Sequence, residues 1–343
     1  MKNSLNETFS VIIATYNYGR FIKKAIESIL EQDLTSAVSV EIIVVDDGST
    51  DNTASVVENF GSKVKYIYQK NRGQAAAFNV GFSVASGDII AFLDSDDYWL
   101  PEKLRLVAEV FKKDPEIGMA QHFMCEVDIN DNPIKAVFEP RKEYYCLGDY
   151  LAGKTSFTGT SGLAFRKKYL EKIMPIPEEL FYCADEYLYN IIFYSKIYSL
   201  NKILGMKKNH GNNWFANTLG NTKRLENHVK VRKVILEKIK EELTKKDIRI
   251  ADTNIYLLTE LAKEEIILYS ATGRKIKGLR KLLEFISKKG FSMRYIKMYI
   301  SLIIAIISAS LYSKLYVLYS KLVVSFNADS MSGEICRCRW RNK

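Results

Sequence analysis

The chain has 343 residues, of which 47% are hydrophobic, enough to bury a full core and to exclude an intrinsically disordered or purely fibrous protein. Its formal net charge is +10, but the excess is not spread evenly: residues 1–220 carry 24 Lys and Arg against 28 Asp and Glu, and residues 221–343 carry 26 against 12. Five cysteines without CxxC spacing, apart from the closer terminal pair Cys336 and Cys338, and no secretory pattern in residues 1–6 fit a reducing cytoplasm.

Short apolar runs alternate with amphipathic stretches over the first 115 residues, which predicts a parallel sheet covered by helices. Strands are expected at Phe9–Ala14, Val40–Val45, Val64–Tyr68 and Ile89–Leu93. Between the first two, Phe21, Ala25, Ile26, Ile29 and Leu30 fall on one helical face, and similar faces follow Asp51 and Gly73. Ligands in such open sheets bind beyond the carboxyl ends of the strands, so the polar residues there are the candidates.

The first strand ends in Thr15-Tyr16-Asn17, where Tyr16 could stack on a flat base and Asn17 could hydrogen-bond; an ordinary turn with a helix cap is the plainer alternative. After the second strand, Asp46-Asp47-Gly48-Ser49-Thr50-Asp51 offers a tight turn and helix caps. Capping does not explain two adjacent acids, one of which could accept from a base imide N–H. The third strand runs into Gln69-Lys70-Asn71-Arg72-Gly73-Gln74 ahead of an Ala-rich helix start, a cationic loop suited to a diphosphate or simply to solvent. No Walker loop and no GxGxxG is present, so the phosphate cradles of a mononucleotide kinase or a dehydrogenase are missing.

The fourth strand delivers Asp94-Ser95-Asp96-Asp97. Like carboxylates crowded at a partly buried strand end repel one another, and a divalent cation would relieve that repulsion with charge and oxygen coordination. Further along, Gly159-Thr160-Ser161-Gly162 precedes the strand-like Leu163 to Phe165 and suits either a close approach by a ligand or a turn. Asp185 and Glu186 stand at the start of an apolar helix expected to run through Ile191, Ile192 and Tyr194, where acids are commonly electrostatic caps.

Thr15-Tyr16-Asn17, Val45 to Asp51, Asn71-Arg72-Gly73 with Asn79 and Gly81, and Phe92 to Asp97 followed by Pro101 and Lys103-Leu104 are collinear over roughly the first 105 residues. This ordered set resembles the family 2 glycosyltransferases, and Asp185 extends the resemblance to about residue 214. The resemblance implies a GT-A fold in a domain of residues 1–220 (donor half 1–115, acceptor half 116–220), a nucleotide-sugar donor, most simply a UDP-sugar, a divalent Mn2+ or Mg2+ ion, and inversion at the anomeric carbon. It implies Thr15, Tyr16, Asn17, Asp47, Arg72, Asp94 and Ser95 at the donor, with Tyr16 on the base, Asp47 reading a uracil ring and Asp94 toward the ribose. Asp96 would be the metal ligand, and His210 a candidate to complete the metal shell or cover the diphosphate. Asp185 would be the general base, with Glu186 the fallback. One departure is Phe78, where many members carry a basic residue, so diphosphate neutralisation would lean on Arg72 and the metal.

From about Thr222 the chain reads as helices: Leu225, Val229, Val231, Ile235, Ile239 and Leu243 form one apolar face, and similar patterns recur from Ile255 to Tyr269 and from Ile276 to Ile286. The apolar stretch Met298–Ser313 is shorter than the about 20 residues a membrane span needs. Tyrosines and lysines continue to residue 324, and this segment suits a membrane interface or a packed helix better than a span. The expected enzyme would act at the inner face of the cell membrane on a glycan, lipid-linked or other hydroxyl acceptor, its region 221–343 meeting an anionic surface. A catalytically silent nucleotide-sugar binder is disfavoured because both Asp96 and Asp185 are present, and a nucleic-acid-binding protein because no reading motif accompanies the basic residues.

Overall fold

A computed structural model describes residues 7–34, 38–136, 142–211, 221–290, 293–312 and 314–315. The chain divides into two compact units, Met1–Asn209 and His210–Lys343.

In the first unit β1 (Glu7–Thr15), β2 (Val38–Asp46), β3 (Lys65–Tyr68) and β4 (Ile89–Asp94) lie parallel in the order β3-β2-β1-β4. Ile12, Ile13, Ile43, Val44 and Ile89 to Leu93 are fully buried. Both faces of these strands are covered, which is why their apolar runs are continuous and do not alternate. The helices α1 (Gly19–Leu30), α2 (Thr53–Glu58) and α3 (Gln74–Val84) each follow a strand. The buried stripe of α1 is Ile22, Ala25, Ile26 and Ile29, while Leu30 is exposed. Phe21, expected inside, instead packs its ring on Tyr18 at 5.7 Å beneath the Arg20 guanidinium. α3 lies so close to β1 that a side chain at Gly81 would begin 2.4 Å from Ile12 Cγ2.

The remainder of the unit comprises β5 (Tyr98–Trp99), α4 (Lys103–Lys113), β6 (Ile117–Val127), β7 (Pro133–Ala136), β8 (Tyr144–Tyr145), α5 (Leu147–Leu151), β9 (Leu163–Arg166), α6 (Lys167–Leu170), α7 (Ala184–Leu188) and β10 (Lys196–Lys208). The sheet continues β4-β9-β6-β10-β5, with β9 antiparallel to both neighbours and β10 parallel to β6; β7 and β8 pair with β6 and β10. The α/β class read from the sequence is therefore present. The helix expected through Tyr194 is shorter: α7 stops at Leu188 and Tyr189–Phe193 form a 3-10 turn. Buried Asn190 gives a reason, since its Nδ2 donates to the Tyr187 carbonyl at 2.8 Å and competes with the main-chain bond that would continue the helix.

Register brings the strand ends level, with Thr15 opposite Asp46 and Ala14 opposite Asp94. Strand order reverses between β1 and β4, and the crevice outside their carboxyl ends is where a sheet of this kind receives its ligand.

The second unit holds α8 (Thr222–Lys245), α9 (Tyr256–Ala271), α10 (Lys275–Lys289) and α11 (Met293–Ile307). The Asn221 side chain caps α8 by accepting from Arg224 N at 3.0 Å. Leu225, Val229, Val231, Ile235, Ile239 and Leu243 are all buried, as their spacing predicts. Ile266, Leu282, Phe285, Tyr299, Leu302 and Ala305 form the centre of a separate apolar cluster. Among the described residues no helix is long and apolar enough to cross a membrane. The 15 residues of α11 extend about 22 Å, against the about 30 Å of a bilayer core. Asn212, Asn213, residues 316–324 and the terminal cysteines lie outside the described residues.

Candidate active site

At the end of β2, Asp46 and Asp47 are both buried. Asp46 accepts from Ser49 N at 2.7 Å and from the Tyr66 hydroxyl at 2.7 Å. Asp47 accepts from Gln69 Nε2 at 2.6 Å and from the main-chain N–H groups of Arg72 and Gly73 at 2.9 and 2.7 Å. In this state Asp47 holds the loop between β3 and α3, and of its roughly four acceptor positions one is left for a ligand.

Thr15 is buried at the end of β1, where its carbonyl accepts from Asp47 N at 2.8 Å. Asn17 sits in the left-handed region at φ 57°, which Asn tolerates. Its Oδ1 accepts from Thr50 N at 2.7 Å, and its own N–H donates to Ser49 Oγ, so it ties the β1 loop to the β2 loop. Between them Tyr16 is 47% exposed, leaving a ring face open to stack. The Arg72 guanidinium is 3.3 Å from Glu178 in a solvent-exposed pair, and such pairs are worth about 0–1 kcal/mol, so a phosphate could displace the carboxylate. Phe78, which stands where a basic residue is common, is fully buried with its ring 4.5 Å from that of Phe92.

The acids after β4 form the electrostatic centre. Burial, followed by Asp97, Asp96 and Asp185, pushes the Asp94 carboxyl well above its ordinary range. Asp97 is raised by burial and by Asp96. Asp185, in the first turn of α7, is pushed up to about 6 by burial and by Glu186. Lys207 on β10 answers all of them: burial would lower its ammonium, yet Asp97, Asp94, Asp185 and Asp96 together raise it. Tyr18, ahead of α1, is raised to about 12 by burial, Asp96 and Asp94, so its hydroxyl stays protonated beside the cluster. The structure thus brings Asp96, Asp97 and Asp185 within electrostatic reach of Asp94, although about 90 residues separate Asp94 from Asp185 by sequence position.

Three residues that the sequence reading did not single out for this role complete the arrangement. Ser161, in a 3-10 turn before β9, donates to Asp97 Oδ2 at 2.6 Å and accepts from Asp94 N at 3.1 Å. Its carbonyl accepts from Trp99 Nε1 at 2.8 Å and from buried Lys103 Nζ at 3.1 Å. Gln74 spans the two acidic regions, donating to Asp94 Oδ1 at 3.3 Å and accepting from Ala184 N at 3.2 Å. Lys207 is the third. Asn79 works in the same sense, its amide exchanging two 2.8 Å bonds with the backbone of Ile176. Gly159 comes close enough to Asp185 that a Cβ there would be 3.8 Å from Oδ2. Ser95 is buried in the turn. His210, a candidate for the metal shell, is the first residue of the second unit.

Among the described residues no three His, Cys, Asp or Glu side chains gather into a ready cage for an ion. The donor set nevertheless fits Mg2+ or Mn2+ held by a nucleotide, because such an ion is commonly bound by one or two carboxylates and completed by phosphate oxygens and water. The crowding of negative charge on the Asp94 carboxyl, which burial, Asp97, Asp96 and Asp185 push up, is the observation that favours it.

Residues 10–174 match the family model "Glycosyl transferase family 2". An uncharacterized glycosyltransferase of Nostoc sp. is 40% identical over 217 residues, 60% of this chain and 65% of that protein, so the chain spans just under two thirds of that relative. Staphylococcus aureus TarS in complex with UDP-GlcNAc superposes with a TM-score of 0.57 at 19% identity, covering 91% of this chain and 92% of that one. The Pyrobaculum calidifontis mannosyltransferase PcManGT in complex with GDP-Man and Mn2+ gives 0.53 at 19% identity, over 89% and 87%. Likeness at this identity speaks for the GT-A fold.

Proposed function

We propose that the chain, whose residues 10–174 match the model of glycosyl transferase family 2, is an inverting transferase of that family moving a sugar from a UDP-sugar to a hydroxyl acceptor. The observation that carries this reading is the convergence of Asp94, Asp96 and Asp97 with Asp185 beyond the carboxyl ends of β1 and β4. The UDP and UDP-GlcNAc complexes of TarS support the choice of donor.

In this proposal Tyr16 stacks on the base, Asp47 accepts from the uracil N–H, Asp94 and Ser95 face the ribose, and Thr15 and Asn17 shape the floor of the site. Arg72 exchanges Glu178 for a phosphate oxygen. Asp96 is the residue that would hold the cation; when bound, Mn2+ or Mg2+ neutralises charge developing on the leaving diphosphate. Asp185 takes the proton of the acceptor hydroxyl as the acceptor oxygen bonds to the anomeric carbon. The bond from that carbon to the diphosphate oxygen breaks on the opposite face, and its electron pair leaves with UDP. Raised to about 6, Asp185 is ionised at neutral pH and is a stronger base than an ordinary carboxylate, so it can accept a proton in the transition state.

The acceptor is a glycan, lipid-linked or other hydroxyl compound of a cell-surface polysaccharide, and the place of action the inner face of the cell membrane. Thermal denaturation with a panel of nucleotide sugars, with and without Mn2+, tests the donor assignment. Stabilisation by UDP-sugars that deepens with Mn2+ is expected; no stabilisation by any nucleoside diphosphate in either condition would overturn it.

A further inference from the structure

The helical unit carries an exposed apolar surface to which the proposed transfer reaction assigns no role. On α10, Ile276, Leu279 and Leu283 are 73, 47 and 58% exposed; on α11, Ile300, Ile303 and Ile307 are 54, 46 and 66% exposed. Each set follows the i, i+3, i+7 spacing that makes one row along a helix. Isolated exposed Ile or Leu residues are ordinary, but two rows on adjacent helices are not.

The two helices run antiparallel. Lys275 Nζ donates to the Ile307 carbonyl at 2.9 Å, a Cβ at Gly278 would lie 3.7 Å from Ile306, and the rings of Phe285 and Tyr299 meet edge to face at 6.2 Å. This register sets Ile276 to Leu283 level with Ile300 to Ile307, so the rows share one stretch of the helix pair.

Charge identifies the occupant. Between Gly273 and Leu315 the sequence has ten Lys and Arg and a single acid, Glu284. Lys275, Lys277 and Arg280 on α10, and Lys297 on α11, are exposed. A second copy of the chain would bring like charges together, as a symmetric contact places the same patch on both sides. An anionic lipid surface instead accepts both features, apolar side chains at the acyl boundary and ammonium groups at the phosphates. Because α11 is too short to span, it would lie in the interface plane.

We propose that α10 and α11 form a docking surface for an anionic bilayer, with the two Ile and Leu rows entering the headgroup region and the surrounding Lys and Arg binding lipid phosphates. This locates the membrane contact of the proposed function on named residues, and it stands or falls without any sugar transfer.

The test is co-sedimentation of the full chain with vesicles of phosphatidylcholine alone and of phosphatidylcholine with phosphatidylglycerol, in the absence of nucleotide. Binding to the anionic vesicles and little to the neutral ones is expected. The pair Ile303→Glu and Ile307→Glu, and separately the pair Lys277→Glu and Arg280→Glu, should each lower the apparent partition coefficient at least about tenfold with an unchanged circular dichroism spectrum and melting temperature. Equal binding to both vesicles, no binding to either, or double variants that bind like the parent would overturn the proposal. So would a dimer in solution that the Ile303→Glu and Ile307→Glu pair dissociates, which would assign the rows to a second copy.

Discussion

Asp185 is the residue on which the proposed chemistry turns, and its environment sets a pH dependence. A base must be deprotonated to act, so kcat/KM should rise with pH about tenfold per unit below about 6 and level off above it. A profile flat from pH 5 to 8 would remove Asp185 from that role. Ser161 makes a second prediction at this scale. Its hydroxyl fixes both the Asp97 carboxylate and the Asp94 main chain, so Ser161→Ala should destabilise the protein by about 1–3 kcal/mol and weaken donor affinity several-fold. Titration calorimetry with UDP and Mn2+ checks the second effect, and unchanged affinity would leave Ser161 a purely structural residue. The acids were legible as a group because four charges or hydroxyls at the end of an apolar strand have no ordinary structural use. Ser161, Gln74 and Lys207 were not, since their partners are 20 or more residues away along the chain and come within reach only after folding.

Among the elements, the loop between β3 and α3 does more than the sequence indicates. Asp47 grips its backbone, Gln74 N donates to the Phe181 carbonyl at 3.0 Å, and Gly73 lies directly under Phe181. Gly73 has φ 90° and ψ 171°, a region open almost only to glycine, and a Cβ there would fall 2.6 Å from the Phe181 ring. Gly73→Ala should therefore cost about 1–3 kcal/mol or more in urea unfolding and reduce transfer through the displaced segment ahead of α7. A stable, fully active variant would contradict this coupling. The strands were readable to within a residue or two, because both faces are buried and the runs are bounded by turn residues. Ala25, Ile26 and Ile29 of the expected α1 face are buried, but the two ends of that face and the length of α7 were not readable, for local reasons: Leu30 is exposed, Phe21 prefers the Tyr18 and Arg20 side chains to the core, and Asn190 takes the carbonyl that would extend α7.

At the scale of the whole molecule the charge is divided as the sequence indicates, with a balanced first unit and a basic helical second one. The two proposed activities should therefore separate experimentally. Ile303→Glu with Ile307→Glu should leave UDP affinity within about twofold of the parent while vesicle binding is lost, and raising salt should weaken vesicle binding as the Debye length falls. A parallel loss of UDP binding would show that the helical surface serves the donor site. The acidic cluster after β4, on the donor, and the acid at the start of α7, on the acceptor, are proposed to serve one transfer reaction. The most direct test of this pairing is Asp185→Asn assayed for both UDP-sugar binding and sugar transfer. Binding retained within about threefold with transfer lost by at least about a thousandfold is the predicted result; transfer at the parent rate, or loss of donor binding together with transfer, would contradict it.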